Sequence, residues 1–310
     1  MTAESLTVGG TARKRRSVRE VRKAVEGGIQ VVFLICGTLA VGFVLLISIY
    51  LILSGLPAIR QIGLTDFLFG RVWDPTNATT GAEFGILPFI LTSIYGTAGA
   101  VVLGVPVGLL TAVYLAKIAP PKVAVAIRTA VQLLAGIPSV VYGLVGMIVL
   151  VPAIQRTFSL SSGACLLAAM IVLAIMILPS IINVAENALR AVPKEYEEAS
   201  LALGATKLET YFKVTLPAAG SGVAAAIVLG VGRAIGEAMA IIMVSGNVSN
   251  MPSVFAPVRF LTTGIVSGMG YAQVGSLYHQ ALFSIGLVLF LFIMLINVLL
   301  NVLIKKKGDA

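Results

Sequence analysis

From Gly27 to Ile59 the chain carries no charged side chain, and five further apolar stretches follow it. A helix needs about 20 mostly apolar residues to cross a bilayer. The six stretches run roughly over Gly28–Leu53, Leu87–Ala116, Thr129–Ala153, Ser161–Ala185, Ala218–Val244 and Ala281–Ile304. Only 11% of the residues are charged and 58% are hydrophobic, against roughly 25% charge in an average soluble domain. So few charges cannot cover a water-facing surface. That excludes a soluble enzyme, a disordered chain and a coiled coil, and leaves lipid as the solvent. The expected fold class is an all-α membrane protein of six transmembrane helices.

The formal charge of +9 would suggest nucleic acid only if the basic residues shared a face. They do not: seven of the 22 lie in the first 26 positions and three are Lys305, Lys306 and Lys307. Alternate inter-span segments are basic as well, with Lys117, Lys122 and Arg128 in one and Arg190, Lys194, Lys207 and Lys213 in another, while the opposite side holds only Arg60, Arg71, Arg156 and Arg259. This asymmetry places both termini in the cytoplasm and makes membrane lipid, with no nucleic acid, the expected partner. The organisation expected is a basic cytoplasmic tail over 1–26, a transmembrane region over 27–304 and a cytoplasmic tail over 305–310. The first apolar run exceeds the roughly 7–15 residues of a signal-peptide core, so it is read as a retained span. Cys36 and Cys165 lie in apolar runs without metal or redox spacing.

Pro88, Pro106, Pro138 and Pro179 interrupt the apolar runs, as membrane bundles tolerate. Gly104 and Gly108, and Gly232 and Gly236, have the small-xxx-small spacing of close helix contacts. In the outer segment Ala58–Gly85, Trp73 is expected to anchor at the interface, and Asn77-Ala78-Thr79 fits a glycosylation triplet. The segment from Gly246 to Gln280 is broken by prolines and glycines and reads as short helices or a re-entrant piece. Arg259 within it is expected to be solvated, and His279 is assigned no role.

The segment from Arg190 to Pro217 is charged and far longer than a connection between neighbouring helices needs. Pro193 can open a helix with Glu195, Glu197 and Glu198 in its first turns, where the dipole favours acids, and Gly204 can end it in a left-handed cap. Ala199, Ala202 and Leu203 would form a small face suited to a groove on a soluble partner. A helix lying on the membrane would instead favour Lys and Arg.

Glu198-Ala199-Ser200, then Gly204, nine residues, and Val214-Thr215-Leu216-Pro217 resemble the EAA loop of ABC-importer permeases. Ser200 and Val214 depart conservatively from that pattern. The resemblance implies a type I ABC-importer permease fold, with a coupling helix seated on a cytoplasmic ATPase through Glu197, Glu198, Ala199, Gly204, Leu216 and Pro217. The chain has no G-x-x-x-x-G-K-[ST] phosphate loop. ATP and Mg are therefore expected on a partner chain, with no catalytic residue and no cofactor here.

Arg233 and Glu237 lie in the fifth stretch, four residues apart and expected on one helical face. A charge at mid-bilayer costs at least ~2.5–3.5 kcal/mol, so both should face a partner or a wet cavity. One reading is an internal salt bridge. The other places them on a substrate path, with the planar Arg233 fork facing an oxyanion and Glu237 holding that fork or accepting from a protonated anion. RAIGEAMAIIMVSGN, PVRFLTTGIVSGMGYA, ALFSIGLVLFLFIMLINVLLN and FLFGRVWDP resemble the PstC-type permease of the high-affinity phosphate ABC importer. What this implies is phosphate import across the bacterial cytoplasmic membrane, with a PstA-like second permease, two copies of a PstB-like ATPase and an extracytoplasmic PstS-like binding protein. Sulfate or molybdate transport, or a membrane scaffold for phosphate signalling, are the alternatives.

Overall fold

The computed structural model describes residues 5–77 and 81–308, with side-chain surroundings over 26–77 and 81–299 and at Val302. The glycosylation triplet lies partly outside those residues. The side chains of the basic amino-terminal segment and of Lys305–Lys307 lie outside them as well.

The chain divides into two units, residues 1–53 and 54–310. The first consists of most of helix α1 (Ser5–Ile62), where residues such as Phe33 and Leu34 are exposed, as expected of a helix solvated by lipid. In the second unit α2 (Leu64–Phe69) precedes a two-stranded antiparallel ladder, β1 (Trp73–Asp74) with β2 (Glu83–Phe84). Then come α3 (Leu87–Val113), α4 (Pro121–Gly136), α5 (Ser139–Val145), α6 (Val151–Thr157) and α7 (Leu166–Ala191). The connecting region holds α8 (Lys194–Ala202), α9 (Lys207–Thr210) and α10 (Leu216–Ala218), and it leads into α11 (Gly220–Gly236), α12 (Met239–Val244), α13 (Leu261–Met269) and α14 (Leu277–Gly308). Three π-helical turns, Tyr114–Ile118, Gly146–Leu150 and Tyr211–Thr215, extend α3, join α5 to α6 and join α9 to α10.

Among the described residues five helices are long and apolar enough to cross a membrane, and a sixth is added if Lys207–Ala218 and Gly220–Gly236, bent by 74°, count as one. This is the expected all-α membrane architecture, with two of the expected spans altered. The third, Thr129–Ala153, is not one helix. Pro138 forces Ile137 into extended backbone (φ −71°, ψ 127°), so α4 ends there and the crossing helix starts at Ser139. The Leu134 carbonyl accepts from the Ile137 amide at 3.2 Å and from the Tyr142 hydroxyl at 2.7 Å, which stands in for the amide that Pro138 lacks. The fifth span breaks at Glu237, as described below.

α3 and α7 form the central pair. Gly104 faces Ile177 and the Ala174 carbonyl, where an added Cβ would lie 2.9 and 3.0 Å away, and Gly108 faces Ile181 at 2.8 Å. Hydrophobic burial does not drive helices together in lipid, so this close fit supplies the contact through dispersion. The second glycine pair makes no such contact, since a Cβ at Gly232 or Gly236 would meet nothing within 4 Å.

At the end remote from α8, Trp73 is buried, not an interfacial anchor, and packs on Phe84, Phe89 and Tyr278 at 5.7, 5.4 and 6.2 Å between ring centroids. The 246–260 segment lies over the start of α7, where the Cys165, Leu166 and Leu167 amides donate to Val244, Ala256 and Val254 carbonyls. Arg259 is held there and not solvated as expected: its Nε and Nη2 donate to Asn247 O at 3.0 and 2.7 Å, above the Phe89 ring. Burial lowers its pKa from the ordinary arginine value, while the Tyr278 phenolate would raise it.

Gly104→Leu should push α3 off the Ala174 carbonyl and cost about 1–3 kcal/mol by overpacking. That is read as a lower melting temperature in detergent, with Gly232→Ala unchanged because it adds a methyl to open space.

Candidate functional site

Arg233 lies in the last turn of α11, half-buried, with Nη1 donating to Ser180 Oγ of α7 at 3.2 Å. Tyr142 of α5 lies nearby. Glu237 does not share a helical face with Arg233. α11 stops at Gly236, Glu237 is extended (φ −75°, ψ 134°), and its Oε1 accepts from the Ala240 amide at 3.0 Å, capping α12. Its own carbonyl accepts from Thr262 Oγ1 of α13 at 2.7 Å. Of the two readings of this pair, the internal Arg233–Glu237 salt bridge is not formed, and each residue has its own separate attachment. Broken backbone at this depth is tolerated where side chains resatisfy its polar groups or water reaches it. Ser180, Thr262 and Tyr142 were not identified from sequence, because a hydroxyl in an apolar run gives no signal until its partner is placed.

In the connecting region the local expectations hold. Pro193 precedes the first residue of α8, and Gly204 is left-handed at φ 89°. Gly204 is followed by a capping box: the Thr206 amide and hydroxyl donate to Glu209 Oε2 at 3.1 and 2.9 Å, and the Glu209 amide donates to Thr206 Oγ1 at 3.3 Å. Ser200, the departure from Ala, pairs its hydroxyl with buried Thr210 at 2.9 Å. Glu198, Ala199, Gly204 and Pro217 are exposed, Leu216 is half-buried against the Ala219 cluster, and Leu203 is 90% exposed.

Glu197 differs from the other acids of this helix. Its Oε1 lies 2.5 Å from Lys117 Nζ and accepts from Thr215 Oγ1 at 3.3 Å, with side-chain exposures of 12% for Lys117 and 19% for Glu197. It ties α8 to the π turn that ends α3. The same turn accepts the Tyr211 hydroxyl on Lys117 O at 3.3 Å and offers Leu115 O to two arginines. Those arginines, Arg128 of α4 and Arg190 of α7, both donate Nε to buried Glu186, at 2.8 and 2.9 Å.

Comparison with known proteins matches residues 104–307 to the family described as binding-protein-dependent transport system inner membrane component. The chain is 38% identical over 296 residues to the probable ABC transporter permease protein YqgH of Bacillus subtilis, covering 93% of each. It is 35% identical to the phosphate transport system permease protein PstC of Pasteurella multocida, covering 78% of this chain and 81% of that one. Its fold resembles the inward-facing MetNI methionine ABC transporter, with a TM-score of 0.57 at 21% identity over 72% of this chain and 95% of that one.

Lys117→Met should leave Glu197 without its cation and lower the local stability of α8 by about 1–3 kcal/mol. The measurement is amide exchange over Lys194–Ala202, which should quicken. Glu198→Gln, on the exposed side, should leave exchange as it was.

Proposed function

The chain belongs to the binding-protein-dependent transport system inner membrane component family, as a permease subunit of an ABC transporter, and from that premise we propose that it carries inorganic phosphate into the cell. The observation that carries this reading is Arg233. It places a guanidinium within the apolar bundle, half-buried, and spends one N–H on a neutral hydroxyl; it has no carboxylate partner among the described residues. A guanidinium holds five donors in a planar fork, so most of that fork remains for a tetrahedral oxyanion. The phosphate assignment draws on the likeness to PstC, which over 78% of the chain reaches 35% identity. Glu237 would add a chemical preference: with Oε1 committed to Ala240, Oε2 is left as an acceptor suited to a protonated anion such as hydrogen phosphate.

In this reading the chain supplies no catalysis, and ATP with Mg is held by a PstB-like ATPase present in two copies. α8 is the coupling helix, and its exposed Tyr196, Leu201 and Leu203 would enter a groove on that partner. The α8 end then faces the cytoplasm of a bacterial cell, together with the 1–26 and 305–310 tails, in accord with the placement of basic residues. A PstA-like permease would complete the path, and a PstS-like binding protein would deliver the anion from outside.

In a reconstituted complex, Arg233→Gln should lower phosphate uptake about 10- to 100-fold, the value of a lost charge-assisted hydrogen bond. Unchanged uptake removes Arg233 from the path. Competition by excess sulfate or molybdate would make the substrate a general oxyanion, and ATP consumption without anion movement would favour a signalling scaffold.

The coupling assignment is tested at Gly204. Valine there is strained by about 1–2 kcal/mol in left-handed backbone, so Gly204→Val should reduce co-purification of the ATPase. Full retention of the ATPase would count against α8 as its seat.

A further inference from the structure

The end of α7 that leads into α8 borders a cavity of about 390 Å³, lined by Arg128 and Gln132 of α4 and by Asn183, Glu186, Asn187 and Arg190 of α7. Glu186 accepts both Nε donors, and each guanidinium spends one further N–H on Leu115 O, at 3.4 Å from Arg128 and 3.0 Å from Arg190. More than half of each five-donor fork is then unspent. The side chains of Gln132, Asn183 and Asn187 make no hydrogen bond among the described residues. Two guanidiniums against one carboxylate leave a positive cavity. A brace between α4 and α7 accounts for Glu186 and its two bonds. It does not account for the surplus donors and three carboxamides without side-chain partners that border one open cavity, in which Gln132, Asn187 and Arg190 are exposed and Arg128 and Asn183 half-buried.

The position of the cavity along α7 is informative. Ser180, Asn183, Asn187 and Arg190 follow at spacings of three, four and three, which keeps them within about 80° on one face of the helix. Ser180 is the residue that receives Arg233, and Asn187 lies roughly 10 Å further along the axis at about 1.5 Å per residue. A polar stripe therefore leads from the intramembrane arginine to the arginine pair beside the coupling region.

We propose that this cavity is a second anion site, taking a phosphate-type oxyanion between the Arg128 and Arg190 forks on the α8 side of Arg233. Planar forks favour a tetrahedral oxyanion through paired N–H contacts, and the carboxamides can donate to its remaining oxygens. The oxyanion is either free inorganic phosphate on its way inward or the phosphate of a lipid headgroup. The proposal rests on reading the chain as an anion permease.

The test uses the assembled transporter in nanodiscs of phosphatidylcholine and follows thiol modification at position 187 after Asn187→Cys. Modification is read peptide by peptide, so that Cys36 and Cys165 do not interfere. Inorganic phosphate should slow that modification at least tenfold. Slowing by phosphatidylglycerol without added phosphate would instead identify the headgroup as the source, and either result supports the site. Protection should fall with Arg190→Gln. It should also fall with Asn183→Asp, which adds a negative charge while leaving both arginines and Glu186 in place. If neither phosphate nor anionic lipid alters the rate, or if protection survives both substitutions, the cluster is only a brace. The assay uses no ATP and no uptake, and protection should persist with Arg233→Gln, so its failure is separable from failure of the transport reading.

Discussion

Helices in lipid gain nothing from mutual burial of apolar surface, because the acyl chains are equally apolar. The second unit of this chain therefore depends on the fit between α3 and α7, where Gly104 and Gly108 let the backbones approach until Ile177, Ile181 and the Ala174 carbonyl fill the gap. Once α7 is fixed on that side, its remaining surface can hold α11 through the same two isoleucines, since Gly230 also abuts Ile181, and can still leave one stripe polar. Ser180, Asn183 and Asn187 are tolerable in a membrane helix only because the apolar faces carry the packing.

What was legible in the sequence follows from the range of the physics involved. Pro193 and Gly204 mark the ends of the α8 segment by local backbone constraints, fixed φ in one case and left-handed φ in the other, and both are realised. Charge scarcity likewise reports lipid without any tertiary knowledge. The break at Glu237 was not readable in this way. No proline stands there; the helix ends because Glu237 caps the Ala240 amide and because Thr262, 25 residues on, takes the freed carbonyl. A four-residue spacing between opposite charges suggests a helical pair only while the helix is intact. The Ile137–Pro138 break did carry a local signal, since a residue before proline avoids helical backbone, but the apolar run across it concealed the boundary.

The acids of α8 show the same division. Composition indicates an acidic helix with solvated charges, and Glu195 and Glu198 are exposed. Glu197 instead turns inward, because Lys117, 80 residues earlier in the chain, is brought beneath it by the π turn after α3. Similarly, Trp73 looks like an interfacial anchor when isolated in sequence, yet three aromatic rings from later elements close over it.

These contacts leave few independent parts at the α8 end. Lys117 is held by Glu197 and its carbonyl by Tyr211, so α8 and the π turn after α9 both attach to the turn that ends α3. Two residues away in that turn, Leu115 O receives Arg128 and Arg190, which share Glu186. A shift of α8 cannot leave the arginine cluster unchanged unless one of these bonds breaks. Breaking the Glu186 bonds would strand a buried carboxylate, which is more costly than moving the turn. A π turn suits that task, because its wider winding already departs from the regular helical ladder and such turns recur at functional positions. On the reading proposed above, force applied to α8 by an ATPase thus reaches the stripe on α7 through one short chain of ion pairs and a single carbonyl, without passing through the closely packed α3–α7 contact.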